Sequence, residues 1–324
     1  MNQSFKKLFY FFLIVVSLFI AARIYYALTD DFRLANITYD LPFPAPWRTH
    51  PLSLHERQDL EKIMGQNFSY LGKGAQCYAF GSDDGEYVLK FFKFKHLKPN
   101  LLVEYLPPIP PLKGYRQSCI ERKKRKLIGV FNGYDLAFRK NRQGTQLVYI
   151  HLIPTKDLHL QATLIDKIGL KRTIDLDDVV FLVQKKGVTL KTRLRHLLDE
   201  GKVREANDAV AHIIEMYVSE YREGIYDHDH GVMQNTGFIG SLPFHLDAGK
   251  LLQDDRIKQV EFFKKDLEQV MWKIDMWIKT YYPQYYPQFS IFLAEQYQKW
   301  TGEVLDIQAV NPHVFKKRRK QIGF

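Results

Sequence analysis

Apolar residues run almost without interruption from Leu8 to Ala22, and after Arg23 they resume as Ile-Tyr-Tyr-Ala-Leu up to Leu28. A helix over 8–28, rising about 1.5 Å per residue, is roughly 30 Å long, enough to cross a bilayer if Arg23 extends its guanidinium to the headgroups. The run therefore predicts one transmembrane anchor behind a short tip, residues 1–7. A cleaved secretory signal begins in a similar way, but Ala21 and Ala22 lead into Arg23 and a bulky Ile-Tyr-Tyr, with no small-residue cleavage site. Lys6 and Lys7 before the run are nearly balanced by Arg23 and Arg33 after it, which leaves the side of the membrane open.

Beyond the anchor the pattern breaks into short periods. Prolines between Leu41 and Ser53 favour an extended connector, and Ser53 is a plausible N-cap for a helix over Leu54–Met64, so residues 29–65 read as a linker with a short helix. Alternating apolar positions from Asn67 to Phe92 predict three strands, the second turn being Ser82-Asp83-Asp84-Gly85. A Pro-rich insert (Pro99–Tyr115) precedes a candidate helix running to Phe138, and Leu147–Pro154 and Val179–Gly187 are apolar, β-branched runs of strand length. From there the spacing becomes helical. One helix ends at Gly201; the next, Arg204–Tyr221, carries Ala206, Val210, Ile213, Ile214 and Tyr217 on one face. Two more follow Asp247, the first stopping at Pro283 and the second near Gly302.

Composition narrows the class. With 324 residues, 46% hydrophobic and 14% aromatic, the chain can bury a sizeable core, which excludes a disordered tail or collagen-like repeat; two cysteines, Cys77 and Cys119, exclude a disulfide-stapled mini-domain. The net charge of +11 is concentrated in Glu121–Leu127 (ERKKRKL), in Phe315–Gln321 (FKKRRKQ) and beside the anchor. No aromatic-interleaved basic stripe accompanies it, so the charge points to anionic lipid, an acidic partner or a phosphate-bearing substrate before nucleic acid.

The candidate chemistry lies in two places. Gly72 and Gly74 flank Lys73 in the first strand turn, where missing side chains let backbone N–H groups approach phosphates, although an ordinary hairpin uses glycines in the same way. Lys90 sits inside Val-Leu-Lys-Phe-Phe, where its ammonium must snorkel or meet an anion. Downstream, Asp227-His228-Asp229-His230 is either a polar surface turn or a reactive one. A transition-metal site on His228, His230 and His245 is a further alternative.

Taken together, LGKGAQCYAF, VLKFF, GIYDHD and LDAG resemble, in this order, the motifs of the protein-kinase-like fold shared by protein kinases and aminoglycoside or choline phosphotransferases. The resemblance implies an α+β, two-lobed fold: a β-rich N-lobe over residues 66–185 and a helical C-lobe over 186–324 with a basic tail. It implies ATP and Mg2+ as cofactors, with Gly72, Gly74 and Lys90 on the phosphates, Gln184 opening the adenine-facing hinge, Asp229 as the catalytic carboxylate and Asp247 as a metal ligand. Gln234 holds the spacing of the family's metal-binding Asn, while Asn235 next to it has the identity; the choice stays open. Glu121, with Glu104 as runner-up, is the candidate acid to pair Lys90. His228 and Asp227 depart from the family's Arg and His, and no Ala-Pro-Glu follows Asp247. These departures keep three functions in play: a membrane-anchored phosphotransferase acting on a protein or small molecule, a pseudokinase that binds nucleotide or serves as a scaffold, and a basic membrane-tethered interaction protein.

Overall fold

The structure, a computed structural model, describes residues 3–41, 43, 45–47 and 51–310; the basic tail at 315–321 and parts of the proline connector lie outside them. Internal contacts divide the chain into two units, Met1–Leu97 with His151–Val183, and Lys98–Ile150 with Gln184–Phe324. The α+β architecture expected from the sequence is present, with the sheet chiefly in the first unit and most of the helix in the second.

In the first unit, helix α1 (Gln3–Leu28) is apolar and exposed over the stretch Lys6–Leu28, whose mean hydropathy of 2.2 is enough to cross a membrane. Helix α2 (Leu54–Met64) starts in a capping box: the Ser53 side chain accepts the Glu56 N–H, and the Glu56 carboxylate accepts the Ser53 N–H. The predicted strands follow as β1 (Asn67–Lys73), β2 (Cys77–Ser82) and β3 (Tyr87–Phe92), joined antiparallel, with a bulge in β1 between Tyr70 and Gly72. After β4 (Leu147–His151), which belongs to the second unit up to Ile150, the sequence pattern gave no sign of β5 (Gln161–Ile165) and β6 (Lys171–Asp175), five-residue strands on either side of a turn. β5 runs parallel to β1 and antiparallel to β6; with β7 (Phe181–Lys185) the sheet order is β4-β7-β3-β2-β1-β5-β6. Its core is aromatic: Phe68, Tyr78, Phe80 and Phe91 are buried, and Phe32, from the segment read as linker, packs edge-on against Tyr78 and Phe80.

The second unit holds a long helix, α3 (Leu112–Lys140), and the helices α4 (Leu190–Asp199), α5 (Val203–Arg222), α6 (Val260–Tyr281) and α7 (Tyr286–Thr301). The apolar stripe predicted for α5 is its buried face; Val210, Ile213, Ile214 and Tyr217 form one core with Leu267, Val270 and Ile274 of α6 and with Phe289 and Leu293 of α7. Short strands interrupt the helices: β8 (Val188–Thr189), β9 (Ile225–Asp227), β10 (Thr236–Ile239), β11 (Leu242–His245) and β12 (Leu251–Gln253). β10 pairs with β8 and β11, and β9 pairs with β12, which brings the segments 227–235 and 245–251 together.

Candidate functional site

The acidic segments of the second unit are fastened side by side. Asp227, at the end of β9, lies opposite Leu251 of β12, and the His228 N–H donates to the Lys250 carbonyl at 3.1 Å. The Asp227 carboxylate accepts the Asp229 N–H at 2.9 Å, an Asx turn that fixes where Asp229 leaves the strand. Asp229 is exposed, and its Oδ2 accepts a hydrogen bond from Asn235 Nδ2 at 3.3 Å. Gly231 makes room for that amide, since a Cβ at 231 would stand 2.4 Å from Asn235 Nδ2. The Asn235 carbonyl in turn accepts the N–H groups of Leu246 (2.7 Å) and Asp247 (3.2 Å). Asp247 Oδ1 accepts Tyr134 Oη–H and the Gly249 N–H, each at 3.0 Å. One chain of bonds thus links Asp229, Asn235 and Asp247. Gln234, the other candidate at this position, is exposed, with its backbone N–H bonded to the Gly231 carbonyl.

Beneath this cluster lies a buried polar layer. Asp227 is fully buried with Oδ2 unpartnered, and burial pushes its carboxyl up to about 6. His230, at a left-handed φ of 50°, bonds Asp266 at 2.6 Å, and Asp266 accepts the Tyr221 hydroxyl at 2.7 Å. Burial works against the imidazolium of His230, but the adjacent Asp266 charge wins and raises its pKa. His245 bonds Glu220 at 2.8 Å and is raised for the same pair of opposed reasons, while Asn141, just beyond α3, donates to the other Glu220 oxygen at 2.6 Å. The two buried histidines therefore serve different carboxylates. Among the described residues no group of three or more His, Cys, Asp or Glu is arranged to hold a metal ion, so the three-histidine alternative has no cluster behind it.

The remaining candidates are distributed as follows. Gln184 is buried, and its amide donates to the carbonyls of Thr145 (2.6 Å) and His245 (2.8 Å). Glu121 is exposed on α3, and Glu104 lies on the short turn Leu101–Glu104. In the first unit, Lys90 is half-buried on β3 opposite Ala79. The Gly72–Gly74 turn is closed by Gly74 N–H to Cys77 carbonyl at 2.9 Å, and a side chain at Gly72 would meet open space.

Two residues that sequence reasoning missed stand out. Lys93 is buried and donates from Nζ to the Gly74 carbonyl at 2.7 Å, bracing the glycine turn; the signal was a second lysine inside the same apolar run as Lys90. Tyr134 holds Asp247 from a helix whose sequence gives no hint of that contact.

No family model matches the chain, and no curated protein matches it. Among solved structures it is similar to WbdD, described as a bifunctional kinase-methyltransferase, at 12% identity over 79% of this chain and 51% of that one, with a TM-score of 0.33. A co-crystal of WbdD with a kinase inhibitor gives 10% identity over 78% and 50% of the two chains and a TM-score of 0.39. A complex of Rv3197 with erythromycin from Mycobacterium tuberculosis gives 12% identity over 84% and 66%, with a TM-score of 0.34. The chain spans about half the length of the WbdD chains it is similar to.

Proposed function

We propose that the chain is a membrane-anchored phosphotransferase of the kinase-like class, using ATP and Mg2+. The observation that carries this reading is the bonded series Asp229–Asn235–Asp247 on two adjoining segments of the second unit. Phosphoryl transfer needs a carboxylate for the acceptor hydroxyl and hard oxygen donors for a divalent cation. Asp229, exposed and set by the Asp227 turn, takes the hydroxyl proton. Asp247 and Asn235 hold the cation, with Gln234 as the alternative donor. The fit is chemical: both hydrogen bonds to Asp247 fall on Oδ1, leaving Oδ2 as a hard donor. When bound, the cation neutralises charge on the phosphates. In the same reading Gly72, Gly74 and Lys90 receive the phosphates, Glu121 pairs Lys90, and Gln184 opens the segment facing adenine.

A second reading, a pseudokinase that binds nucleotide without transfer, is favoured by Asp227 and His228, which replace the His-Arg of the resembled motif. One experiment separates the two. For the full chain in detergent micelles, Mg-ATP raises the melting temperature, and Lys90→Ala or Asp247→Ala abolishes the rise. Loss of γ-phosphate to water or an acceptor, abolished by Asp229→Ala, identifies the transferase. A rise with no turnover selects the pseudokinase, and no rise in the parent chain overturns both in favour of a non-catalytic membrane-tethered protein.

A further inference from the structure

The end of α1 is docked on the first unit's sheet. Tyr25, in its last turns, receives a hydrogen bond from Arg172 of β6, and the Arg33 guanidinium lies 3.9 Å from the centre of the Tyr26 ring. Asp30 and Asp31 then turn the chain with φ of 52° and 69°, a left-handed pair that Asp tolerates better than most non-glycine residues. Contacts from the sheet hold both residues in place. The Asp30 carboxylate meets Lys73 of the glycine turn at 3.2 Å, Lys167 of the β5–β6 turn at 3.2 Å and the Tyr70 hydroxyl at 3.1 Å. Asp31 is bound by Lys95, and its carbonyl accepts from Tyr78 (2.8 Å) and Asn36 (2.7 Å).

Topology agrees with these contacts. Because β5 is parallel to β1, the turns that follow them, 73–77 and 166–170, emerge from the same end of the sheet, and the anchor ends beside both. The β5–β6 turn is held open from within: Asp166 Oδ1 accepts the N–H groups of Ile168 (3.1 Å) and Leu170 (2.9 Å), and Gly169 takes φ of 85°. Ile168 and Leu170 are thereby presented outward, 42% and 47% exposed, next to Lys167, Lys171 and Arg172. Paired aliphatics on a rigid, basic turn at the foot of an apolar helix match the apolar boundary and anionic headgroups of a bilayer.

We propose that the β5–β6 turn is a membrane-docking tip, in which Ile168 and Leu170 enter the headgroup–acyl boundary of an anionic bilayer while the exposed Lys171 meets its phosphates. The tip rests on the reading of α1 as a span. The Gly72–Gly74 turn shares that end of the sheet and faces the same headgroup layer.

The test uses the full chain in vesicles of phosphatidylcholine with phosphatidylglycerol. Spin labels are placed at Ile168→Cys or Leu170→Cys, with Cys77 and Cys119 replaced by Ala and Asp84→Cys as the control at the opposite end of the sheet. Labels at 168 and 170 become accessible to oxygen and shielded from an aqueous nickel chelate, and the control does not. Where the cysteine-free chain fails to fold, Ile168→Trp in the otherwise unaltered chain gains fluorescence quenching by brominated lipid over the parent. Labels as water-accessible as the control, in a chain that stays with the membrane after carbonate washing, overturn the tip and leave the span standing. Release of the chain by carbonate overturns both.

Discussion

At the scale of single residues, Asp227 shows how much of this site is set by burial. The sequence offers four consecutive polar residues, Asp227 to His230; the motif resemblance singles out Asp229, but nothing local says which of them are buried, because burial depends on partners far along the chain. In the fold Asp227 and His230 are buried, while Asp229 is exposed and reaches Asn235. The choice between Gln234 and Asn235 is equally invisible in the sequence: the turn Val232–Asn235 aims the second toward Asp229 and the first outward. Burial raises the Asp227 carboxyl from an ordinary 3.8 to about 6, so the folded chain holds its proton more tightly than the unfolded chain does. The stability this group contributes is therefore full below about pH 4 and is lost as pH rises through 6, a difference on the order of 3 kcal/mol. Asp227→Asn keeps an oxygen for the Asp229 N–H and has no charge to bury. Its melting temperature, measured against the parent from pH 4.5 to 7.5, is expected to gain as pH rises toward about 6 and to level off above it; parallel curves would mean that Asp227 ionises freely.

At the scale of elements, the long and strongly periodic segments were legible and the short ones were not. Helices α5, α6 and α7 fall where apolar spacing puts them, whereas β5, β6 and the β10–β11 hairpin are four or five residues long and carry too few alternations to register. Helix α3 was legible as a helix, but its role was not. It lies against the Asp247 segment through Gly133, where an added Cβ would come within 2.7 Å of the Ala248 carbonyl oxygen and 2.8 Å of the Gly249 carbonyl carbon. Those are backbone atoms and cannot swing aside. Gly133→Ala is expected to cost about 1–3 kcal/mol and to weaken any Mg2+-dependent stabilisation, since Asp247 directly precedes Ala248. One turn earlier, Gly129 has nothing within 4 Å of its Cβ position, and Gly129→Ala is expected to stabilise by up to about 1 kcal/mol through helix propensity. Opposite signs at the two sites in thermal unfolding would confirm that α3 is seated by its close approach at Gly133. Tyr134→Phe tests the neighbouring contact: it keeps the ring, removes the hydrogen bond to Asp247 and is expected to cost about 1 kcal/mol without cation.

At the scale of the whole molecule, the junction between α1 and the rest of the first unit is where sequence and structure part most clearly. Residues 29–65 read as a linker with a short helix because the four prolines between Leu41 and Ser53 favour an extended chain. In the fold Phe32 and Ile37 are almost completely buried, and Trp47 nearly so, as parts of the first unit. A lone aromatic in a connector gives no periodic signal, yet Phe32 fills a position against Tyr78 and Phe80 that no strand residue occupies. The segment that follows α1 is thus part of the core that carries Lys90. A chain beginning at Thr29 keeps Phe32, Ile37 and the Asp30 contacts, whereas one beginning at Tyr39 loses two buried apolar side chains, each contributing about 1.5–3 kcal/mol. The longer fragment is expected to melt cooperatively, and the shorter to melt well below it or to aggregate. Phe32→Ala in the longer fragment should reproduce about 3–5 kcal/mol of loss on its own. Equal melting temperatures for the two fragments would show that the segment from 29 to 38 is a tether after all, and would detach the contacts at the end of α1 from the stability of the fold.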